Sequence, residues 1–489
     1  MAFVFYRAIV LLYLIGLSSQ RMSYYDGVEM PKIAIIGGGI GGTTVAYRLQ
    51  QIVGSHLSTF DVYESDRVGG RLNTVTVNGK EYETGGSVIH PANQYMAEFA
   101  QMFGLKHLEG ADGNFAMFRE QEKVFETSTN SWISSLQLIW RYGLDLIRIQ
   151  RSTSRLLSDF GRIYGWQEEL QSFTTVPNLL LAMSDEIMAS TKMSFKDKLD
   201  ELKISMKFTE ELAVAAARNN YAQFPASLHG FVGSVSIAGA EPGLWAVQGG
   251  NYQVPQHLLK SSGAQTISSR VTKVSNITSN SSRPLYRLET ADGLTAEYDL
   301  VVLAFPLVKG AVEVEFEGFN TDIKGYEQPF HRVFVYIVDG VPNHKHFGYD
   351  SLHDMPSIIF PLSENDFYNT LQEIVPVSGD SNPQKLWKVF ANTKLTEQQL
   401  DTLFASRKSM EIIDWLAYPE YQPDETFASF VLAPGLYYVN AIESAASAME
   451  MSAMAAVNVA YLMVNEWMGH EHLVDNMFII EEKHIKMEL

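Results

Sequence analysis

Three glycines and one acidic residue near the N-terminus have the spacing of a dinucleotide-binding site. An apolar run stops at Gly37, Gly39 and Gly42, and a helix-like stretch follows directly. The first glycine permits a tight turn, the second lets the backbone approach a pyrophosphate, and the third lets the helix pack on the strand. A second apolar run ends in Glu64, whose carboxylate can accept hydrogen bonds from both ribose hydroxyl groups. We therefore predict a dinucleotide without a 2′-phosphate.

A second glycine turn indicates which dinucleotide is bound. Gly69, Gly70 and Arg71 follow closely after Glu64. An NAD site does not need this turn, whereas FAD bound in an extended form does: the glycines bring backbone close to the cofactor, and Arg71 can neutralise pyrophosphate charge. The sequence has no second strand–glycine–helix unit for a nicotinamide. Electrons that enter the flavin are therefore expected to leave to O2 and give H2O2.

Three later segments have the pattern of further walls of this site. Val271 lies in an alternating strand pattern and is expected to place its backbone against adenine, and residues 298–306 read as a buried strand that ends at a proline. Near the C-terminus, a strand leads through Glu443 into a helix rich in small residues. The first N–H groups of that helix are expected to face the flavin edge that gains negative charge on reduction.

In their order along the chain, these segments resemble the FAD-dependent amine-oxidase-like superfamily, and more narrowly the prenylcysteine oxidase (prenylcysteine lyase) family. The resemblance runs from about residue 31 to the C-terminus, and it marks Gly86 and Met449 as further cofactor-binding residues. It implies an α/β fold in which a Rossmann-type FAD-binding domain is interleaved with a second, α+β substrate domain. The segments that carry it are 68–72, 85–91, 140–143, 243–251, 415–419 and 443–453.

The flavin-type segments are discontinuous, which predicts that the chain leaves the nucleotide domain twice. Segments 31–95, 225–310 and 415–470 are assigned to the FAD-binding domain. Residues 96–224, mostly helical in pattern, and residues 311–414, with strands and helices, are assigned to the substrate-binding domain. The substrate pocket is expected at the interface between the two domains.

The resemblance also implies a reaction. The substrates of this implied reaction are farnesylcysteine and geranylgeranylcysteine, which are released when prenylated proteins are degraded. Hydride would leave the prenyl C1 for flavin N5, water would add to the cation that the sulfur and the allylic double bond stabilise, and the hemithioacetal would collapse to cysteine and a prenyl aldehyde. Two alternatives stay open, namely a flavin amine or polyamine oxidase and a catalytically silent FAD-binding protein that associates with lipid.

Few side chains are candidates for catalysis, because in this reaction the cofactor carries the difficult chemistry and the protein supplies orientation and a dry pocket. His90 is the one titratable candidate, for positioning water or tuning the flavin. Trp415 and Tyr418 are candidates for aromatic walls near the flavin. His344 and His346 lack a third ligand, so no metal site is predicted.

Composition and charge limit the classes of function. The chain has 489 residues and a formal net charge of −19, which argues against nucleic acid as a partner. It contains no cysteine, which excludes disulfides, a cysteine nucleophile and a thioether link to the flavin. Non-covalent FAD is therefore favoured over attachment through a histidine.

The N-terminus has the pattern of a secretory signal peptide, assigned to residues 1–19. Arg7 precedes the apolar run 8–17, and small residues follow it. Asn276 and Asn280 begin glycosylation sequons in a polar stretch. The acidic balance and the family resemblance indicate the lysosome, with secretion or the ER lumen as alternatives.

One amphipathic stretch, residues 131–151, has two interpretations. Its apolar residues, Trp140 among them, recur at helical spacing. The stretch is either a core helix, or the wall of a lipophilic tunnel that also makes peripheral contact with a membrane or lipoprotein. In the second case, Arg141, Arg148 and Arg151 would contact anionic headgroups.

Overall fold

The computed structural model describes residues 29–54, 60–110, 113–279, 283–380 and 385–476. Its strands are β1 (Ile33–Ile36), β2 (Phe60–Tyr63), β3 (Thr74–Val77), β4 (Lys80–Glu83), β5 (His107–Glu109), β6 (Phe115–Arg119), β7 (Glu122–Glu126), β8 (Trp245–Val247), β9 (Gln265–Ile267), β10 (Val271–Asn276), β11 (Tyr286–Thr290), β12 (Thr295–Tyr298), β13 (Leu300–Leu303), β14 (Glu315–Glu317), β15 (Phe330–Pro342), β16 (Ile358–Pro361), β17 (Thr370–Ile374), β18 (Leu386–Ala391), β19 (Phe404–Pro419), β20 (Val431–Ala433) and β21 (Leu436–Tyr438). Its α-helices are α1 (Ile40–Val53), α2 (Gln94–Met102), α3 (Ser131–Tyr142), α4 (Leu144–Glu168), α5 (Val176–Met183), α6 (Asp185–Ser190), α7 (Phe195–Glu201), α8 (Met206–Phe208), α9 (Val214–Tyr221), α10 (Gly230–Ala238), α11 (Gln253–Ser262), α12 (Glu397–Leu403) and α13 (Met449–Met468). A π-helical turn (Thr209–Ala213) and two 3₁₀ turns (Val439–Ser444 and Glu471–Leu473) complete the description.

The first sheet is parallel except at one edge, and distant parts of the chain form it. Its order is β20-β21-β13-β1-β2-β9, and only β20 is antiparallel to its neighbour. All residues of β1 and β13 are buried, as expected for parallel strands covered on both faces. Helix α1 connects β1 to β2 and packs against α11 and α13. The predicted strand–turn–helix–strand unit and the α/β fold class are confirmed.

The second sheet has the order β19-β15-β18-β17-β16-β6-β7 and is antiparallel except where β16 meets β6. Successive side chains of β15 enter different apolar clusters, because neighbours along a strand point to opposite faces. Strands β6 and β7 come from a region that the sequence predicted as mostly helical. Residues 415–419, assigned from sequence to the FAD-binding domain, are the end of β19 and pair with β15 in this sheet.

Helices α3 to α10, the helical layer, pack mainly on one another, and α9 also contacts β16 of the second sheet. Helix α4 is the longest of the described helices, with 25 residues. Among the described residues, no helix combines the length and apolar character needed to cross a bilayer. The predicted signal peptide, residues 1–19, and Asn280 lie outside the described residues.

Candidate active site

One large cavity, of about 1490 Å³, lies between the two sheets and the helical layer. Most of the residues predicted to form the site lie in its wall. These are Gly37, Gly39, Glu64, Gly70, Arg71, Gly86, His90 and Met449. Gly42 and Glu443 stand directly behind the wall, where they contact Gly37 and Arg71 respectively. The tertiary fold thus collects segments that are hundreds of residues apart in the chain.

The glycine turn after β1 has no room for side chains. Gly37 has φ of +114°, and a Cβ there would lie 2.5 Å from the carbonyl oxygen of Ala304. A Cβ on Gly42 would overlap the carbonyl oxygen of Gly37. The nearest atom to a Cβ on Gly39, by contrast, would be the Cα of Gly70 at 3.9 Å, so the space in front of Gly39 is open. Because α1 begins directly after Gly39, its unpaired N–H groups can bind a phosphate in this space.

Glu64 is fixed at the end of β2 by the backbone. The N–H of Gly38 donates to its Oε2 at 2.8 Å, and the N–H of Asp66 donates to its Oε1 at 2.9 Å. The carboxylate is half-buried and keeps acceptor capacity on both oxygens. This geometry is compatible with the predicted hydrogen bonds to ribose.

Arg71 is paired with a buried carboxylate. Its Nη1 donates to Oε2 of Glu443 at 3.1 Å and to the carbonyl oxygen of Ala417 at 2.6 Å, and its Nη2 donates to Oε1 of Glu443. Asn440 donates a further hydrogen bond to Oε1 at 2.7 Å. Glu443 is fully buried, so it balances most of the guanidinium charge. We therefore expect Arg71 to hold the cofactor-facing segments together rather than to neutralise pyrophosphate charge.

Gly85 and Gly86 let two cavity walls approach closely. A Cβ on Gly85 would overlap both the carbonyl oxygen of Arg71 and the ring of Trp415. A Cβ on Gly86 would lie 3.5 Å from Cγ of Met449. Trp415 and Met449 both face the cavity, so the glycine pair brings an aromatic ring and a thioether to the cofactor end of the site.

His90 has both ring nitrogens occupied. Its Nδ1 accepts the N–H of Ala92 at 3.0 Å, and its Nε2 lies 3.2 Å from Oε2 of Glu241. This pattern places the proton on Nε2, where the histidine donates to the carboxylate. His90 lines the cavity, but its catalytic role stays a prediction because no nitrogen is left to bind water.

Sequence reasoning missed two titratable groups in the cavity wall, the half-buried Glu83 and the buried Lys388. The Lys388 ammonium donates to the carbonyl oxygen of Glu83 at 3.1 Å, and the N–H of Asn251 donates to Oε1 of Glu83 at 2.7 Å. Oε2 of Glu83 has no partner among the described residues. Burial raises the pKa of Glu83 to about 7 and lowers the pKa of Lys388 to about 8. The only sequence signal was a single lysine inside the apolar run of β18.

A buried carboxylate, Glu450, was also missed. It accepts the N–H groups of Tyr95 at 2.8 Å and Met96 at 3.0 Å, and the hydroxyl of Tyr164 at 2.6 Å. It therefore satisfies the first N–H groups of α2, whose own N-cap residue makes no side-chain bond. Burial raises the pKa of Glu450 to about 7. Because Glu450 follows Met449, this cap fixes the start of α13 against α2.

The cavity becomes apolar where it enters the helical layer. Its wall there is formed by side chains from α3, α4, the π-helical turn and α10, such as Leu138, Leu146, Ile149, Phe160, Leu212 and Phe231. Such a surface can hold a long hydrocarbon chain. The same cavity therefore has one polar and one apolar end.

Two predicted positions lie away from the cavity. Val271 is buried in β10, where it pairs with Thr290, and it does not line the cavity wall. Asn276 ends β10, and its Oδ1 accepts the N–H of Thr278 at 3.0 Å. The described residues contain no group of three or more potential metal ligands.

Comparison with known proteins gives two family matches. Residues 125–476 match the prenylcysteine lyase family, which covers more than half of the chain. Residues 35–103 match the NAD(P)-binding Rossmann-like domain, which includes the glycine turn and Glu64.

Several curated relatives are similar over nearly their whole length. Prenylcysteine oxidase 1 of Bos taurus is 35% identical over 488 residues, with 95% of each chain covered. Prenylcysteine oxidase 1 of Homo sapiens is 34% identical, also with 95% of each covered. Prenylcysteine oxidase 1-like of Bos taurus is 33% identical and covers 94% of this chain and 95% of the relative.

Solved structures share the fold at low sequence identity. Putrescine oxidase bound to putrescine has a TM-score of 0.59 and 14% identity, and 89% of this chain and 99% of that chain are covered. Cyclohexylamine oxidase from Brevibacterium oxydans IH-35A has a TM-score of 0.59 and 15% identity, with the same coverage. The similarity to these solved structures shows the fold, whereas the similarity to the full-length relatives shows the family. The chain belongs to the prenylcysteine lyase family, built on the fold of the flavin amine oxidases.

Proposed function

We propose that this chain is an FAD-dependent thioether oxidase that converts prenylcysteine, O2 and water to cysteine, a prenyl aldehyde and H2O2. The observation that carries the proposal is a cavity that joins a dinucleotide-binding turn at one end to an apolar channel at the other. Full-length relatives named prenylcysteine oxidase support the substrate class. A lipophilic thioether with a charged amino-acid headgroup has the same two-sided character as the cavity.

The residues present fit FAD. The open space in front of Gly39 admits a pyrophosphate next to the N-terminus of α1, and Glu64 is oriented for a ribose. The volume of about 1490 Å³ exceeds the ~300–1,000 Å³ of an ordinary small-molecule site, as expected if it holds both cofactor and substrate. We propose that binding is non-covalent, because the chain has no cysteine and both ring nitrogens of His90 are engaged.

When bound, FAD supplies a two-electron acceptor that O2 can reoxidise. The protein's contribution is to orient the substrate and to control water and protons. The apolar channel holds the prenyl chain and excludes water from it. Oε2 of Glu83 has no partner among the described residues and a pKa of about 7, so it can take a proton from the water that adds to the substrate. The neighbouring Lys388 ammonium stabilises the carboxylate that is needed for this step.

The fold likeness to amine oxidases does not favour an amine substrate. Tyr418 lies in the cavity wall, but its ring packs against Tyr221 at 5.3 Å and against His331 at 6.0 Å. It therefore does not form, with Trp415, an isolated pair of parallel rings for an amine. Amines serve instead as the control substrates in the test.

The test is turnover of the purified, flavin-loaded chain. With farnesylcysteine we expect H2O2 and free cysteine in equal amounts, and no H2O2 with spermine or benzylamine. H2O2 from amines alone would refute the proposal. Tightly bound FAD with no turnover on either class would favour the silent lipid-associated alternative.

The cellular setting is part of the proposal. We propose that residues 1–19 direct the chain into the secretory pathway, that Asn276 and Asn280 carry glycans, and that the enzyme works in the lysosome. The acidic composition supports an acidic compartment. Only a small fraction of Glu83 is ionised there, so the enzyme would work on the rising, acidic limb of its pH profile. Mobility after N-glycosidase digestion, and co-fractionation of the expressed chain with lysosomal markers, test these points.

A further inference from the structure

The most exposed apolar surface of the described residues lies on α3 and the first turn of α4. We define the docking face as Trp132, Ile133, Leu136, Ile139, Trp140, Leu144 and Ile147, all of which are exposed. Trp132 is 81% exposed and Trp140 is 89% exposed, whereas tryptophan is normally well buried. A contiguous face of this kind marks an interaction site rather than chance exposure.

The inner faces of the same two helices line the cavity. Leu138 on α3, together with Leu146 and Ile149 on α4, belongs to the apolar end of the cavity wall. The break between the helices is Gly143, at φ of +51°, which lets the chain bend. The proposed prenyl channel and the docking face therefore lie on opposite sides of the same pair of helices.

The charges around the docking face are positive although the chain as a whole carries −19. Arg151, Lys203 and Lys207 are exposed beside it, and Arg148 binds the carbonyl oxygen of Lys203 at 2.7 Å. Three acidic residues next to these helices are each paired with an arginine, so they do not neutralise the exposed cations, and Glu201 is the one exposed acid within two residues of Lys203. The pairs are Asp145 with Arg148, Glu211 with Arg141, and Glu210 with Arg119.

This pairing corrects one expectation from the sequence. The membrane interpretation of residues 131–151 includes a headgroup contact of Arg141, but its Nε and Nη2 donate to Glu211 at 2.6 and 2.7 Å. It therefore braces α3 against the π-helical turn. The exposed cations that can contact headgroups are Arg151, Lys203 and Lys207. The two lysines are distant in sequence from α3 and were not predicted to lie beside it.

We propose that the docking face inserts into the surface of an anionic phospholipid bilayer, so that the prenyl chain passes from lipid to cavity between α3 and α4. An apolar helix face with tryptophans and a basic border is the pattern of a helix that lies in the membrane interface. A second copy of the chain fits less well, because a two-fold dimer places the same face against itself and opposes like charges. The delivery of substrate rests on the proposed function; the binding to lipid does not.

The first experiment measures binding without turnover. The full chain is sedimented with vesicles of phosphatidylcholine alone or with added phosphatidylserine. We expect the double variant Trp132→Ser/Trp140→Ser to lower the partition coefficient by about tenfold or more, and each of Lys203→Gln and Lys207→Gln to lower it by about fivefold on anionic vesicles only. The matched control Leu294→Ser/Val341→Ser removes two exposed apolar side chains elsewhere and should bind like the wild type.

Two results would overturn the docking proposal. One is equal sedimentation of the wild type and the double tryptophan variant. The other is a wild-type dimer in analytical ultracentrifugation together with a monomeric tryptophan variant, because the docking face would then be a protein interface. The N-terminal apolar run is the same in every variant, so a difference between variants reports the docking face.

The second experiment separates docking from catalysis. With farnesylcysteine held in vesicles, the tryptophan variant should show a KM about tenfold above that of the wild type, with unchanged KM for dissolved substrate. If the chain binds vesicles but turns over neither form, the docking face stands and the proposed function fails. If it turns over both forms equally in all variants, the delivery role fails while the oxidase stands.

Discussion

Backbone atoms form much of the cavity wall near Gly37, whereas side chains form the wall near Leu146. The first end excludes Cβ atoms at Gly37 and Gly42 and fixes Glu64 with hydrogen bonds from the main chain. The second end is formed mainly by apolar side chains of several helices. We infer that the first end tolerates few substitutions, because its shape is set by the backbone. The length and width of the apolar channel at the second end, by contrast, can change when one side chain replaces another.

The largest expected effect comes from breaking the ion pair at the polar end. Arg71→Met leaves Glu443 buried without its cation, which should lower the free energy of unfolding by about 3–5 kcal/mol. Urea unfolding followed by circular dichroism measures it. The double variant Arg71→Met/Glu443→Gln removes both charges and should recover part of the loss. A single variant as stable as wild type would show that the pair does not hold the two segments.

The second prediction separates cofactor binding from folding. Gly39→Val has space in the fold but fills the position in front of Gly70, so FAD affinity should fall by about 100-fold, or ~2.7 kcal/mol. Flavin absorbance per protein measures the loss, while the Tm of the flavin-free protein should stay constant. Gly161→Ala, on α4 with nothing within 4 Å, is the control. Full flavin content in Gly39→Val would exclude the proposed phosphate position.

The third prediction concerns the pair of Glu83 and Lys388. The proposed role needs Glu83 ionised, above its pKa of about 7, and Lys388 protonated, below its pKa of about 8. kcat/KM should therefore rise with pH through about 7 and fall above about 8. Lys388→Met should lower kcat by about 100-fold and remove the alkaline limb, and Glu83→Gln should remove the acidic limb. A lower rate with an unchanged pH profile would instead indicate a structural role for the pair.

The smallest effect is expected at the apolar end. Ile149→Phe narrows the channel and should raise the KM for geranylgeranylcysteine by about tenfold, with flavin content and Tm unchanged. Ile133→Phe changes the outer face of α3 instead and serves as the matched control. Loss of flavin in Ile149→Phe would contradict the separation of the two ends.

Local pattern was sufficient wherever the chemistry is local in the chain. Gly37, Gly39, Gly42 and Glu64 lie in one strand–turn–helix–strand unit, so their spacing alone predicted the turn that the structure contains. The α/β class and the family followed from such segments and their order. The role of Val271 at the adenine stays a prediction, because an alternating strand pattern does not tell which edge of the fold the strand will occupy.

Long-range pairing decided the rest. The sequence of β18 does not indicate that Lys388 will contact Glu83, which is 305 residues away. Likewise, Glu443, the partner of Arg71, is 372 residues away in the chain. Helical periodicity likewise identified α3 and α4 as amphipathic but could not tell a buried face from an exposed one, because both have the same spacing. By itself the sequence determined the dinucleotide-binding turn, since this depends on backbone conformations that only certain residues allow, and it indicated the family through the resemblance of several segments. The tertiary structure decided which charges are buried, which are paired and where the apolar face points, since those properties belong to contacts between distant segments.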